Sequence, residues 1–126
     1  MLELPVVPED PEALVGRGSG LTPLGDDVLC GWLALHRAAG NETPDHDARV
    51  RALLPRTTRL SAALLECAMR GEVVPEFAAY VTALGTPAED AAAAGLAAVG
   101  HTSGLGLLAG AVAARQHLRD TGRMAA

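Results

Sequence analysis

Apolar residues recur every third or fourth position in several blocks, and each block is cut short by glycine, proline or a polar cluster. That is the pattern of short amphipathic helices. The clearest block carries Val28, Leu29, Trp32, Leu33 and Leu35, with Asp26 and Asp27 where the helix begins and Gly40 where it closes. Residues 41–47 read as a polar loop from which Pro44 starts a short helix bearing Val50, Leu53 and Leu54, broken at Pro55. Thr57 or Thr58 caps the next helix, whose apolar stripe is Leu60, Leu64 and Cys67, widened by Ala68 and ended by Gly71. Pro75 sits at the first-turn position of a helix that turns Phe77, Val81 and Leu84 inward and stops at Gly85. Thr86-Pro87-Ala88-Glu89 has capping-box spacing and launches an Ala-rich helix to about Val99. After a second glycine cluster, a last helix runs through Leu107, Leu108, Ala111, Val112 and Leu118, with Ser103 as its N-cap and Arg115 and Arg119 on its solvated side.

The expectation is an all-α fold: a small bundle of about six helices, with two glycine-rich turns at helix N-termini. Residues 1–126 are expected to form a single helical domain, of which 1–15 is an extended, Pro-punctuated segment with one helical turn over 11–14. Only 2–7 hints at a strand. Residues 16–118 make the helical core, and 119–126 read as a flexible tail.

Composition sharpens this picture. Of 126 residues 49% are apolar but only 2% aromatic, so the core must be built from Ala, Leu and Val, and helix formers dominate. A chain of this length buries enough surface to fold without disulfides or a structural metal. The net charge of -5 and the lack of aromatics leave neither a phosphate-neutralising patch nor a stacking platform, which excludes nucleic acid as a partner. Cys30 and Cys67 lie in apolar helical patterns without CxxC pairing and are expected as buried, reduced thiols. Residues 2–16 have neither the basic nor the apolar region of a signal peptide, and no apolar run reaches membrane-spanning length, so the expected location is cytoplasmic. The positive mean hydropathy of +0.21 suggests apolar surface shared with a partner subunit or a second copy.

Two segments echo one another. Gly25-Asp-Asp-Val-Leu-Cys-Gly31 aligns with Gly104-Leu-Gly-Leu-Leu-Ala-Gly110 at both glycines and at Leu29 and Leu108. Glycine inside a helix costs about 0.5–1 kcal/mol relative to alanine. Either Gly31 and Gly110 let two helices cross closely, N-termini side by side, or glycine is simply scattered through the chain. The first alternative would aim two sets of free backbone N–H groups at one spot, an anion site by construction.

The segments Gly18-Ser-Gly-Leu-Thr-Pro-Leu-Gly-Asp-Asp27, Thr57-Thr-Arg-Leu-Ser61 and Gly100-His-Thr-Ser-Gly104 resemble the AllH-like family, whose best-known member is the third subunit of oxamate carbamoyltransferase. The resemblance runs from Gly16 to about Ala114 and is to the conserved C-terminal half of that family. Both family motifs carry an S-G-x-D pattern, and here Leu24 stands in place of the first serine and Gly106 in place of the second aspartate. The resemblance implies a subunit or stand-alone homologue of a carbamoyltransferase-type enzyme binding carbamoyl phosphate or an oxamate-like anion. The alternative is a non-catalytic helical partner or scaffold of a larger enzyme.

The residues themselves offer the following chemistry. Gly18, Ser19, Gly20 and Thr22 lie in a loop able to present N–H and hydroxyl groups to a phosphate or carboxylate, with Gly25 behind them. Asp26 serves as a helix cap or as a ligand contact. Asp27 either faces the ligand, with Mg²⁺ the one cofactor it could assist, or belongs to the helix start. His101 is a candidate donor or general acid/base, against a histidine satisfied by a turn carbonyl. Thr58, Ser103 and Gly104 complete the candidate ligand-binding set, chiefly as helix-start residues. His36, His46 and His117 have no His or Cys at i+3 or i+4, so no metal site is expected.

Overall fold

The computed structural model describes residues 8–123, so the strand-like stretch 2–7 lies outside the described residues. Six helices follow in chain order: α1 (Leu24–Ala38), α2 (Pro44–Leu53), α3 (Arg59–Met69), α4 (Pro75–Ala83), α5 (Glu89–Ala97) and α6 (Ser103–Asp120). Short 3-10 turns cover Pro11–Ala13 and Leu54–Arg56, and no strand occurs among the described residues.

Helix α1 is the axle of this bundle. Every residue from Gly25 to His36 is buried, so this helix has no solvent face over three turns. Its main neighbour is α6, with α3 on another side, while α4 and α5 pack together and α5 leans on α6. The two axle helices run parallel, with Thr22 and Ser103 meeting at their starts and Trp32 near His117 further along. Their approach is as close as backbones allow. A Cβ on Gly31 would lie 2.0 Å from the Leu107 carbonyl oxygen, and one on Gly110 would lie 1.9 Å from that of Val28. The contacts are reciprocal, so the sequence echo is a spatial one. Gly25 and Gly104 repeat the pattern, each pressed on a carbonyl of the preceding segment, Leu14 and Leu96, at 2.1 and 2.0 Å.

Several local expectations need correcting. Helix α1 starts two residues before Asp26, with Pro23 in the N-cap position and no side-chain cap. Asp26 cannot serve there because its two oxygens accept from Gly16 N and from the Thr57 hydroxyl. In α3 the buried face is Ser61, Leu65, Ala68 and Met69, whereas Leu60 and Leu64 are exposed at 47% and 40%. Apolar residues occupy both faces of that helix, and packing on α1 selected the other one. Thr86 does not cap α5; its hydroxyl accepts from Ala88 N, and Glu89 reaches back to Gly85 N at 2.8 Å. Ser103 is the first residue of α6 and not its cap. Arg115 is not solvated but paired with Glu89 at 3.0 Å, and the Nε atom of Arg119 is buried. Helix α6 also continues to Asp120, past the expected boundary at 118. Thr58 does cap α3, accepting from Ser61 N at 3.0 Å.

Candidate functional site

The loop between Val15 and α1 is tied down at both ends and in the middle. Gly25 N donates to Arg17 O at 2.9 Å, Gly16 N to Asp26 Oδ1 at 2.8 Å, and the Thr58 hydroxyl to Leu21 O. Thr22 Oγ1 meets Ser103 Oγ at 3.1 Å. The glycine-rich loop thus joins the starts of α1, α3 and α6, and its tip at Gly18, Ser19 and Gly20 is exposed. Asp26, buried and spent on Gly16 and Thr57, is the clamp of this junction.

Asp27 is different. It too is buried, yet its Oδ2 atom has no hydrogen-bond partner. Burial pushes its carboxyl up to about 7; the Ser103 side chain opposes this by hydrogen bonding, and the neighbouring Asp26 charge adds to it. A carboxyl poised there exchanges its proton near neutral pH, as a general acid or base must. Asp27, Ser103 and Thr22 all line a cavity of about 320 Å³. The rest of the lining is mostly apolar, with Leu64, Val74, Phe77 and Leu107 beside Cys30 and Cys67, while Glu72 at its rim is exposed and paired with Arg70 at 2.9 Å. Cys30 is a buried thiol whose ionisation burial suppresses, while Cys67, expected to be buried as well, is only partly so.

The sequence-derived candidates therefore divide. Thr22, Asp27 and Ser103 come together; Gly25, Gly104 and Asp26 build the scaffold around them; Thr58 holds the loop. His101 is exposed on the turn before α6 and does not line the cavity. Gly25 N and Gly104 N, two of the first-turn donors an anion would use, already donate to Arg17 O and Val99 O at 2.9 Å each.

Sequence spacing missed a second polar cluster, at the far end of the α1–α6 pair. The Trp32 ring lies 4.0 Å from His36, 4.3 Å from His46 and 5.9 Å from His117. Burial lowers His36 to about 4 and depresses His46 as well. Each histidine comes from a different helix, so no local signal announced the cluster. Among the described residues, no three or more His, Cys, Asp or Glu side chains are grouped to hold a metal ion.

The family model for oxamate carbamoyltransferase subunit AllH matches residues 14–115, from the segment before the loop to the middle of α6. The chain belongs to this AllH family. No curated protein and no solved structure matches it. Membership gives the two motif departures a spatial reading. A Cβ on Gly106 would stand 2.6 Å from Asp27 Cβ and 3.1 Å from Leu24 Cδ1. Ser103 and Asp27 come together at the α1–α6 junction, and both line the cavity. Leu24 and Gly106, the two positions that depart from the resemblance, likewise face one another. Asp27 and Leu24 together occupy the space that a side chain at Gly106 would need.

Proposed function

We propose that this chain serves as a subunit of a carbamoyltransferase-type assembly and holds a small substrate at the α1–α6 junction, against Asp27, Ser103 and Thr22. The observation that carries the reading is the Asp27 carboxyl: buried, and in the lining, with Ser103 and Thr22, of a cavity large enough for a small metabolite. In this reading Asp27 moves the proton, which a carboxyl pushed up to about 7 supports. His101, the other catalytic candidate, acts only if the substrate or a partner subunit reaches the exposed turn. Mg²⁺ at Asp27 would relieve its burial, and its effect is read in the same experiment.

The test is a thermal-shift panel on the full chain with phosphate, carbamoyl phosphate, oxamate and butanamide, each with and without Mg²⁺. A ligand at about 100 times its dissociation constant adds roughly 2.7 kcal/mol, several degrees in a domain of this size. A shift that disappears in Asp27→Leu supports the site. If no compound moves the midpoint through Asp27, the site reading falls.

A second reading, the helical scaffold, is favoured by one observation. Leu60, Leu64, Val73 and Val74 leave an exposed apolar strip beside α3, fit for a partner surface. An assembly whose carbamoyl transfer survives Asp27→Leu but is lost with Leu60→Glu would assign the chain to that role.

A further inference from the structure

Charge is unevenly spread over this chain. Its net charge is -5, yet segments 16–22, 56–64 and 99–108 contain Arg17, Arg56, Arg59 and His101 and not one carboxyl group. The fold brings these three segments to one end of the bundle. The Thr58 hydroxyl donates to Leu21 O, Thr22 Oγ1 meets Ser103 Oγ at 3.1 Å, and a Cβ on Gly16 would press on Arg56 O. Acids that flank the segments are committed elsewhere: Asp26 and Asp27 are buried, Glu12 pairs with Arg49, and Glu66 pairs with Arg51 at 3.3 Å. Arg17, Arg56 and Arg59 are exposed and have no ion-pair partner among the described residues; Arg56 reaches the backbone carbonyl of Glu12 at 3.3 Å.

The exposed large apolar side chains gather at the same end. Leu21 is 71% exposed on the loop, Leu60 is the second residue of α3, and Leu105 stands in the first turn of α6. Leu64, one turn after Leu60, continues the strip to the rim of the cavity, where Val73 and Val74 join it. Leucines one turn apart on an outer helix face match the apolar stripe of a second helix laid alongside. Arginine forks pair with carboxylates through two parallel hydrogen bonds, so the charges around these leucines call for Asp and Glu on that helix. A second copy does not meet the requirement, since pairing this face with itself would set arginine against arginine. Nor does a bilayer, because Leu64, Val73 and Val74 edge a concavity that a flat lipid surface leaves unfilled.

We propose that this end of the bundle, with Arg17, Arg56 and Arg59 around Leu21, Leu60 and Leu105, docks an acidic amphipathic helix of a partner protein. The inference is separate from the substrate site at Asp27; it rests on the partner reading of the α3 strip and adds the chemistry of what covers it.

Two labelled peptides of about 18 residues, long enough to hold a helix, test it. Both carry leucine at every third or fourth position, with glutamate and alanine elsewhere in one and lysine and alanine in the other. Their binding to the full chain is followed by fluorescence anisotropy. The glutamate peptide is expected to bind at least about tenfold more tightly than the lysine peptide at low salt, the gap closing at about 0.5 M salt. Arg17→Glu combined with Arg59→Glu should reverse the preference. Both side chains are exposed, and glutamate suits the first residue of α3, so circular dichroism should show the fold kept. Leu21→Ser should weaken the glutamate peptide severalfold. Equal binding of the two peptides, still weakened by Leu21→Ser, overturns the charge assignment and leaves the strip reading standing. Binding of neither peptide, tighter binding to phosphatidylglycerol vesicles than to the glutamate peptide, or a dimer of the full chain that competes with that peptide each overturns the inference. The strip reading is then decided separately, by Leu60→Glu in the transfer assay.

Discussion

The two ends of the α1–α6 pair make the same problem visible with opposite charge. At the N-terminal end a carboxyl, Asp27, is buried without a cation; at the C-terminal end His36 and His46 are buried beside Trp32 without an anion in contact with their open nitrogens. Helix dipoles would favour charge at both places, an anion at the start and a cation at the end, by about 0.3–1 kcal/mol each. The shifts go the other way, Asp27 up to about 7 and His36 down to about 4, with burial as the leading cause of each. Desolvation therefore outweighs the dipole at both ends. The ends differ in what closes them. Asp27 borders a cavity, whereas the histidines are covered by the N-terminal segment: His46 Nε2 donates to Pro8 O at 2.8 Å, and His117 Nδ1 lies 3.1 Å from Glu9. The open end borders a cavity; the closed end is packing.

Both ends depend on the backbone contact between them, so its disruption should have the largest effect. Gly31→Val would drive a side chain into the Leu107 carbonyl. A loss of about 3 kcal/mol or more is expected, lowering the melting midpoint by roughly 10 °C in a calorimetric scan. Gly40→Ala, which meets nothing within 4 Å but sits at φ +73, should cost only about 1 kcal/mol.

Next in size is the open end. The folded Asp27 carboxyl holds its proton to about 7 against an ordinary 3.8, so stability falls as pH rises through that window and is flat above it. Asp27→Asn removes the dependence and should stabilise the chain by roughly 2 kcal/mol at pH 8, with little change at pH 4, in urea titrations at the two pH values. A less stable Asp27→Asn at pH 8 would mean that the carboxylate has a stabilising partner in solution.

The closed end gives the mirror slope. His36 holds its proton only below about 4, against an ordinary 6.5, so its contribution is full above pH 6.5 and lost as pH falls. His36→Gln should be about 1 kcal/mol more stable than the parent at pH 5 and indistinguishable at pH 8. Trp32 is the only tryptophan, so its fluorescence reports on this end alone. The smallest effect is expected from Glu9→Ala, which removes the half-exposed partner of His117 and should cost less than about 0.5 kcal/mol. A larger loss would show that this contact carries the segment's docking.

Much of the fold was legible because helix signals are local. Pro44 and Pro75 open helices where the chain predicts them, and Thr58 caps α3. The glycine echo was legible too, because two glycines at matching helical positions suggest close approach, although the lone Gly95 in α5 meets nothing within 4 Å. The face of α3 was not legible. Leu60 and Leu64 satisfy the helical period as well as Leu65 and Met69 do, and periodicity cannot choose between two apolar faces. His101 looked chemical from its neighbours, yet it stays outside the cavity.

The amino-acid order by itself determined the helical class, the family, and the two glycines that bring α1 and α6 together, because each rests on residues close in sequence or on a long specific motif. Tertiary structure alone decided that Ser103 meets Asp27, that Leu24 meets the bare position at Gly106, and that two distant histidines, His46 and His117, join His36 around one tryptophan. It also decided which acids keep a proton. Protonation depends on what replaces water around a group, and the replacing atoms come from elsewhere in the chain.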